Sequence, residues 1–386
     1  MTDRYAFVME NGLGHVTHRL NLESVLQGEN RFDAVVLPVR PGETPGVKPL
    51  PLIHNWSIQT SWAARRSLQV CSEQNPPDAV FIHTQVAALF AKRITRRLPT
   101  IVSLDATPIN FDSLGEVYGH SRQSQAVEMV KLRVNRRALS SASSIVTWSK
   151  WAATSVVEDY GIPSERVHVV HPGVLLSRYV PRSEPRLPGP VRVLFVGGDF
   201  VRKGGPELVE AVASMHGEVE LDVVTSTSGI MPPRGATMRV HNDVSPNSER
   251  LHNLLTRADV FALPTWGDCL SMAIAEAMAS GLPVVTTKVG GGSELVREGD
   301  TGLFVPPGSP RDIGEALGRL AADPSLREGM GRAARALAER EHDANANWLT
   351  IFDLLHEASV DSPGRYRADR YRTAVGHSGL GQSPTS

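Results

Sequence analysis

Short apolar runs and amphipathic stretches alternate along most of the chain. Runs at residues 5–9, 32–37, 79–82, 100–104, 144–147 and 167–170 are bounded by turn residues and too short for buried helices, so they predict strands. Apolar positions at helical spacing predict helices from 15 to about 26, over 123–139 and over 152–159. Residues 181–190, PRSEPRLPGP, break the pattern with four prolines and predict a hinge. A second series follows, with strands at 191–196, 221–225, 259–263 and 283–286 and helices at 206–215, 248–256 and 272–280. Helices over 310–321, 326–340 and 348–358 close it, and the Arg-, Gly- and Ser-rich tail from 362 predicts disorder.

Strands that alternate with helices predict parallel sheets covered on both faces. The fold class is therefore α/β, with two doubly wound Rossmann-like domains at 1–180 and 191–345 facing across a cleft and a linker at 181–190. One architecture is used twice. Ligands of such sheets bind beyond the carboxyl ends of the strands, so candidate chemistry belongs just after each strand.

Composition narrows the class. A chain of 386 residues exceeds one core, and 41% apolar with 21% charged residues is ordinary globular composition. The net charge of −1 removes any whole-chain attraction to nucleic acid, which is not expected as a partner, and leaves room only for a local basic patch. Two distant cysteines, Cys71 and Cys269, supply neither a disulfide framework nor zinc spacing. No apolar run reaches the ~18–20 residues of a membrane helix, and residues 1–8 are too short and polar for a signal peptide. The reading is a cytoplasmic protein, with contact to an inner membrane surface at most peripheral. Oligomeric state is not legible. No Asp-x-Asp motif or metal-ligand spacing occurs, so neither metal nor other cofactor is expected. A Gly-x-Ser-x-Gly elbow is absent, as is a dinucleotide fingerprint at the first strand of either domain.

The densest candidate chemistry lies at 258–307. A buried strand stops at Pro264, a loop carries Asp268, Cys269, Leu270 and Ser271, and a helix carries Glu276 among small residues. A loop feeding a helix N-terminus offers free N–H groups and partial positive charge to a diphosphate. Asp268 and Glu276, eight residues apart, can accept sugar hydroxyls on either side of it. Set against that, Asp268 reads equally well as a helix cap.

Asp268…Glu276-Ala277-Met278-Ala279-Ser280-Gly281-Leu282-Pro283-Val284-Val285 resembles the retaining glycosyltransferase family 4, of GT-B fold, with aspartate in place of the first glutamate of its two-glutamate motif. Gly290, Gly291, Glu294, Gly299, Gly302 and Pro306-Pro307 also match the family pattern. The resemblance implies a nucleotide diphosphate sugar as donor, Glu276 on its ribose and Asp268 near the transferred hexose, with configuration retained. A sugar or lipid-linked hydroxyl would be the acceptor. It places the nucleotide base along 239–244, with Asn242 among the donor residues, and carries a return helix at 346–360 back to the first domain ahead of a tail at 361–386.

Three further stretches join the reading. Gly197-Gly198, Arg202 and Lys203 form a glycine turn with two cations, suited to a leaving diphosphate. The family places arginine at Gly198 and lysine at Lys203. Asn11-Gly12-Leu13-Gly14-His15 corresponds to the family's glycine loop, with Gly12 and Gly14 matching; His15 and His18 read more readily as surface or capping residues. His83 and Asp105 follow strands of the first domain, and with His15 and His120 they make an acceptor-side set; many relatives carry histidine where Asp105 stands. His171-Pro172-Gly173-Val174 reads as structural. The departures at Gly198 and Asp268 keep two alternatives open: a non-catalytic sugar- or nucleotide-binding relative, and a GT-B sugar-nucleotide epimerase.

Overall fold

The computed structural model describes residues 2–12, 14–115, 124–183, 186, 188–234 and 237–361. Its first sheet contains β1 (Arg4–Glu10), β2 (Asp33–Val39), β3 (Ala79–His83), β4 (Thr100–Leu104), β5 (Ser144–Thr147) and β6 (Val167–Val169). All pairings are parallel, in the order β2-β1-β3-β4-β5-β6. Its helices are α1 (His15–Leu26), α2 (Trp56–Gln74), α3 (Gln85–Ala88), α4 (Lys92–Thr95), α5 (Pro108–Ser113), α6 (Gln125–Ser141) and α7 (Lys150–Glu158). The second sheet contains β7 (Val191–Val196), β8 (Val219–Val224), β9 (Thr237–His241), β10 (Val260–Leu263), β11 (Val284–Thr286) and β12 (Gly302–Phe304), again all parallel. Its order is β12-β11-β10-β7-β8-β9. Around it lie α8 (Gly205–Ser214), α9 (Glu249–Arg257), α10 (Met272–Ala279), α11 (Pro310–Ala322) and α12 (Pro324–Glu341), followed by α13 (Ala344–Val360).

The two sheets are both doubly wound, so one architecture is used twice, with a different strand order in each. In the first sheet the order reverses between β1 and β3; in the second it reverses between β7 and β10. Each reversal opens a crevice at the carboxyl ends of two neighbouring strands.

Alternate side chains of β1 enter two different cores. Ala6 and Val8 pack with Val80, Ile82 and Val102 on one face. Tyr5, Phe7 and Met9 pack on the other, where Trp348, Ile351, Phe352 and Leu355 of α13 fill the layer. Helix α13, far along the chain from β1, thus completes the core of the first sheet. Burial on both faces explains why these strands read as continuous apolar runs.

Six elements escaped the periodicity: α2, α3, α4, α5, β9 and β12. Helix α2 buries Gln59, Thr60 and Ser61 beside Ala63, Ala64 and Leu68, so polar residues interrupt its inner stripe. The Gln59 side chain binds the backbone at Leu50 and Ile53, and Ser61 donates to Val86 O. Strand β9 is a partly exposed edge, and β12 is only three residues long. His18 is a further correction: it is buried and stacked on Trp348 at 4.6 Å, because the α1 face it occupies meets α13. Burial lowers its pKa to about 3, so the ring is a neutral core aromatic.

Candidate active site

The second sheet's crevice is built by backbone contact. Gly204, with φ 77°, caps α8 against β10; a Cβ there would run into the Pro264 carbonyl. That approach brings Lys203 to Asp268, and the two form an ion pair with side chains only 12% and 13% exposed. Gly197, at the end of β7, leaves room for the aliphatic stem of Lys203. Gly198 is exposed, and its carbonyl accepts from the Ser226 hydroxyl at 2.7 Å. Arg202 donates to Gly267 O at 2.8 Å and pairs with Asp199, so its guanidinium braces the loop. Asn242 donates to Thr225 O and Thr227 O, tying the β8 turn beside Gly198.

Gly290, with φ 57°, lies against the Asp268 carbonyl, and Gly291 N donates to Cys269 O at 2.8 Å. Cys269 and Leu270 are buried beneath this turn. Ser271 precedes α10 and makes no side-chain cap bond, so the helix does not close off its own first-turn N–H groups. Glu276 lies one turn deeper and is buried. Burial pushes its pKa up to about 7, which a hydrogen bond with the Tyr179 hydroxyl only partly offsets. In this arrangement the single hydroxyl proton of Tyr179 goes to Asn247 Oδ1 at 2.8 Å; the Asn247 amide donates to Asn21 on α1, and Asn21 donates to Gly173 O. The chain of bonds runs from the second domain into the first.

The first sheet's crevice is equipped differently. Glu10 ends β1, His83 ends β3, Asp105 follows β4 and His15 opens α1. His15 Nδ1 lies 2.8 Å from His83 Nε2, and His83 Nδ1 lies 3.3 Å from Ser103 Oγ. His15 Nε2 is 3.8 Å from Glu10 and 4.0 Å from Asp105. Those gaps exceed a hydrogen bond. Trp148 stacks on His83 at 5.1 Å. Burial raises the pKa of Glu10, against the pull of His15 and of the Thr84 hydroxyl bond. Burial also raises Asp105, with His15 opposing and Asp268 across the cleft adding to the rise. Gly12 faces the Glu10 carboxylate, whereas Gly14 holds an ordinary helical φ of −64° as the cap of α1. His120 lies outside the described residues. Among the described residues no group of three or more His, Cys, Asp or Glu could hold a metal ion.

Two family profiles match the chain. "Glycosyl transferase 4-like domain" covers residues 15–173 and "Glycosyl transferases group 1" covers 190–323. The chain belongs to the group 1 glycosyltransferases. Similar curated proteins include the D-inositol 3-phosphate glycosyltransferase of Arthrobacter sp. strain FB24, 28% identical over 63% of this chain and 61% of that protein. The enzyme of that name from Nocardia farcinica is 33% identical over 58% of this chain and 53% of its own length. An MMP alpha-(1->4)-mannosyltransferase of Mycolicibacterium hassiacum is 29% identical over 54% and 52%. The chain therefore spans less than two thirds of the length of these relatives. Among solved structures, a sucrose-phosphate synthase from Thermosynechococcus elongatus superposes with TM-score 0.73 at 17% identity, covering 93% of this chain and all of that one. Anabaena HepE in complex with UDP superposes at 0.67, also at 17%, covering 92% of this chain and 100% of that chain. These likenesses show a GT-B fold of two Rossmann-like domains.

Four residues and one contact of this site were missed in the sequence. Glu10 ends a buried strand just before Asn11-Gly12, a position that could have marked it. Tyr179, Asn21 and Asn247 lie far apart in the chain and carry no local signal. The contact of Glu294 was also invisible: its carboxylate accepts from Lys150 N and Trp151 N at 2.8 Å each, capping a helix of the other domain.

Proposed function

We propose that the protein transfers a hexose from a nucleoside diphosphate sugar to a hydroxyl of a sugar-type acceptor, free or lipid-linked, with retention of the anomeric configuration. The observation that carries this reading is the convergence of Lys203, the uncapped start of α10 and buried Glu276 behind Asp268. A diphosphate seated between Lys203 and α10 meets a positive charge and oriented N–H groups, both of which favour the charge that grows as the donor's C1–O bond breaks. Glu276 receives the ribose hydroxyls and Asp268 the hexose. The acceptor hydroxyl lies among Glu10, His15 and Asp105, attacks C1 on the face the diphosphate leaves, and passes its proton to the departing phosphate oxygen. Closure of the two domains over the donor keeps water from taking the acceptor's place.

The test is transfer by the purified protein from UDP-, GDP- and ADP-hexoses to a panel of sugar acceptors, with the product anomer read by NMR. Transfer with the donor's configuration kept supports the reading. Binding of nucleotide without turnover would instead make the chain a non-catalytic relative, and release of nucleotide with epimerised sugar in the absence of acceptor would make it an epimerase. If no nucleoside diphosphate raises its melting temperature, the donor site itself is wrongly placed.

A further inference from the structure

A second concentration of charge lies at the opposite end of the first sheet. Lys92, Arg96, Arg97, Arg133, Arg136 and Arg137 line one cavity of about 940 Å³ beside Pro99 and Ser143, at the amino ends of β4 and β5. All six side chains belong to exposed residues. Among the described residues none of them forms an ion pair, and the only acid in the wall is Asp361. In a chain of net charge −1, six uncompensated cations around one hollow are a local attractor for anions.

Helix α6 adds an apolar stripe. Val127, Val130 and Val134 are 43%, 58% and 37% exposed. Their spacing puts them on one solvent-facing arc, and Arg133 and Arg137 lie along its side. A free phosphate or a nucleic acid would use the arginines and gain nothing from the valines. An anionic bilayer uses both, because its headgroups carry phosphate and its acyl boundary accepts aliphatic side chains from a helix lying in the interface. The chain's own tail is a poor occupant: it leaves from Asp361 on the cavity rim and carries Arg365, Arg367, Arg370 and Arg372 against a single acid, Asp369.

We propose that α6 and the cationic hollow beside it dock on a bilayer rich in anionic phospholipid. The proposal is independent of the glycosyl-transfer reading, because its readout is binding alone. The full chain is spun down with vesicles of phosphatidylglycerol and phosphatidylcholine in equal parts, and with vesicles of phosphatidylcholine only. The expected result is sedimentation with the first and not the second, weakened as salt is raised from about 0.05 to about 0.5 M. Arg133→Glu with Arg137→Glu should lower the bound fraction about tenfold, as expected when two surface cations are reversed beside an anionic membrane. Val130→Asp should lower it as well. If the double variant does not fold, Lys92→Gln with Arg96→Gln takes its place, with an unchanged melting temperature as the control. The proposal fails if phosphatidylglycerol vesicles leave the protein in the supernatant, or if the folded variants bind as well as the parent. It also fails if inorganic pyrophosphate or a short RNA binds these residues while vesicles do not.

Discussion

The two faces of the cleft solve the same geometric problem with different chemistry. Both sheets reverse their strand order beside a central strand, and both place candidate residues at the reversal. On the second domain the crevice is made of backbone: Gly204 on Pro264, Gly290 on Asp268, and the open start of α10. On the first domain it is made of side chains, with His15, His83, Glu10 and Asp105 arriving from four different element ends. A backbone cradle suits a ligand part common to many donors, the diphosphate. A side-chain cluster suits a part that varies, the acceptor, because it can be changed without moving the chain.

That contrast can be broken in four ways. The largest effect belongs to Lys203→Ala, which should cut kcat/KM about 10³-fold, near 4 kcal/mol, by removing the charge opposite the leaving group. Steady-state kinetics with the best donor reads it, and a loss under tenfold would remove Lys203 from the donor face. Next comes Glu276, whose folded pKa of about 7 stands above the ordinary 4.5. The native state keeps this proton over a range where the unfolded chain has released it. Stability from this group is thus complete below about pH 4.5 and is lost as pH rises through about 7, summing to about 3 kcal/mol. Melting temperature measured across that range should fall in the parent and stay flatter in Glu276→Gln.

The third effect separates the faces. Asp105→Asn or Glu10→Gln should raise the acceptor KM about tenfold, the value of one hydrogen bond to a charged group, with donor KM unchanged. An equal rise for donor and acceptor would merge the two crevices into one subsite. The smallest is Glu294→Ala, which removes a cap from a helix of the opposite domain and should cost about 1 kcal/mol in chemical denaturation.

How legible each face was follows from how local it is. The crevice proposed for the donor is written in consecutive residues: Gly197 to Gly205 spans one turn, and Asp268 to Glu276 spans a loop and one helix start, so both stretches stood out in the sequence and the family resemblance gave them roles. The strands feeding it are buried on both sides and read as plain apolar runs. The first domain's crevice, proposed for the acceptor, is scattered from Glu10 to Asp105, and no spacing links residues that meet only after three strands have paired. His83 and Asp105 could be singled out because each follows a strand. The partnership of Glu10 with His15 needed the register of β1. The same reason hid α2, whose buried polar residues bond to loops that periodicity does not see, and misplaced His18, whose stacking partner lies 330 residues away on α13.

Glu294 sits four residues beyond Gly290, on the same short turn. One end of that turn rests on the Asp268 carbonyl, and the other satisfies two amides of α7. Parting the two lobes would take from those amides the acceptor that Glu294 supplies. A ligand seated against Gly290 therefore bears on a turn whose far end holds the neighbouring lobe.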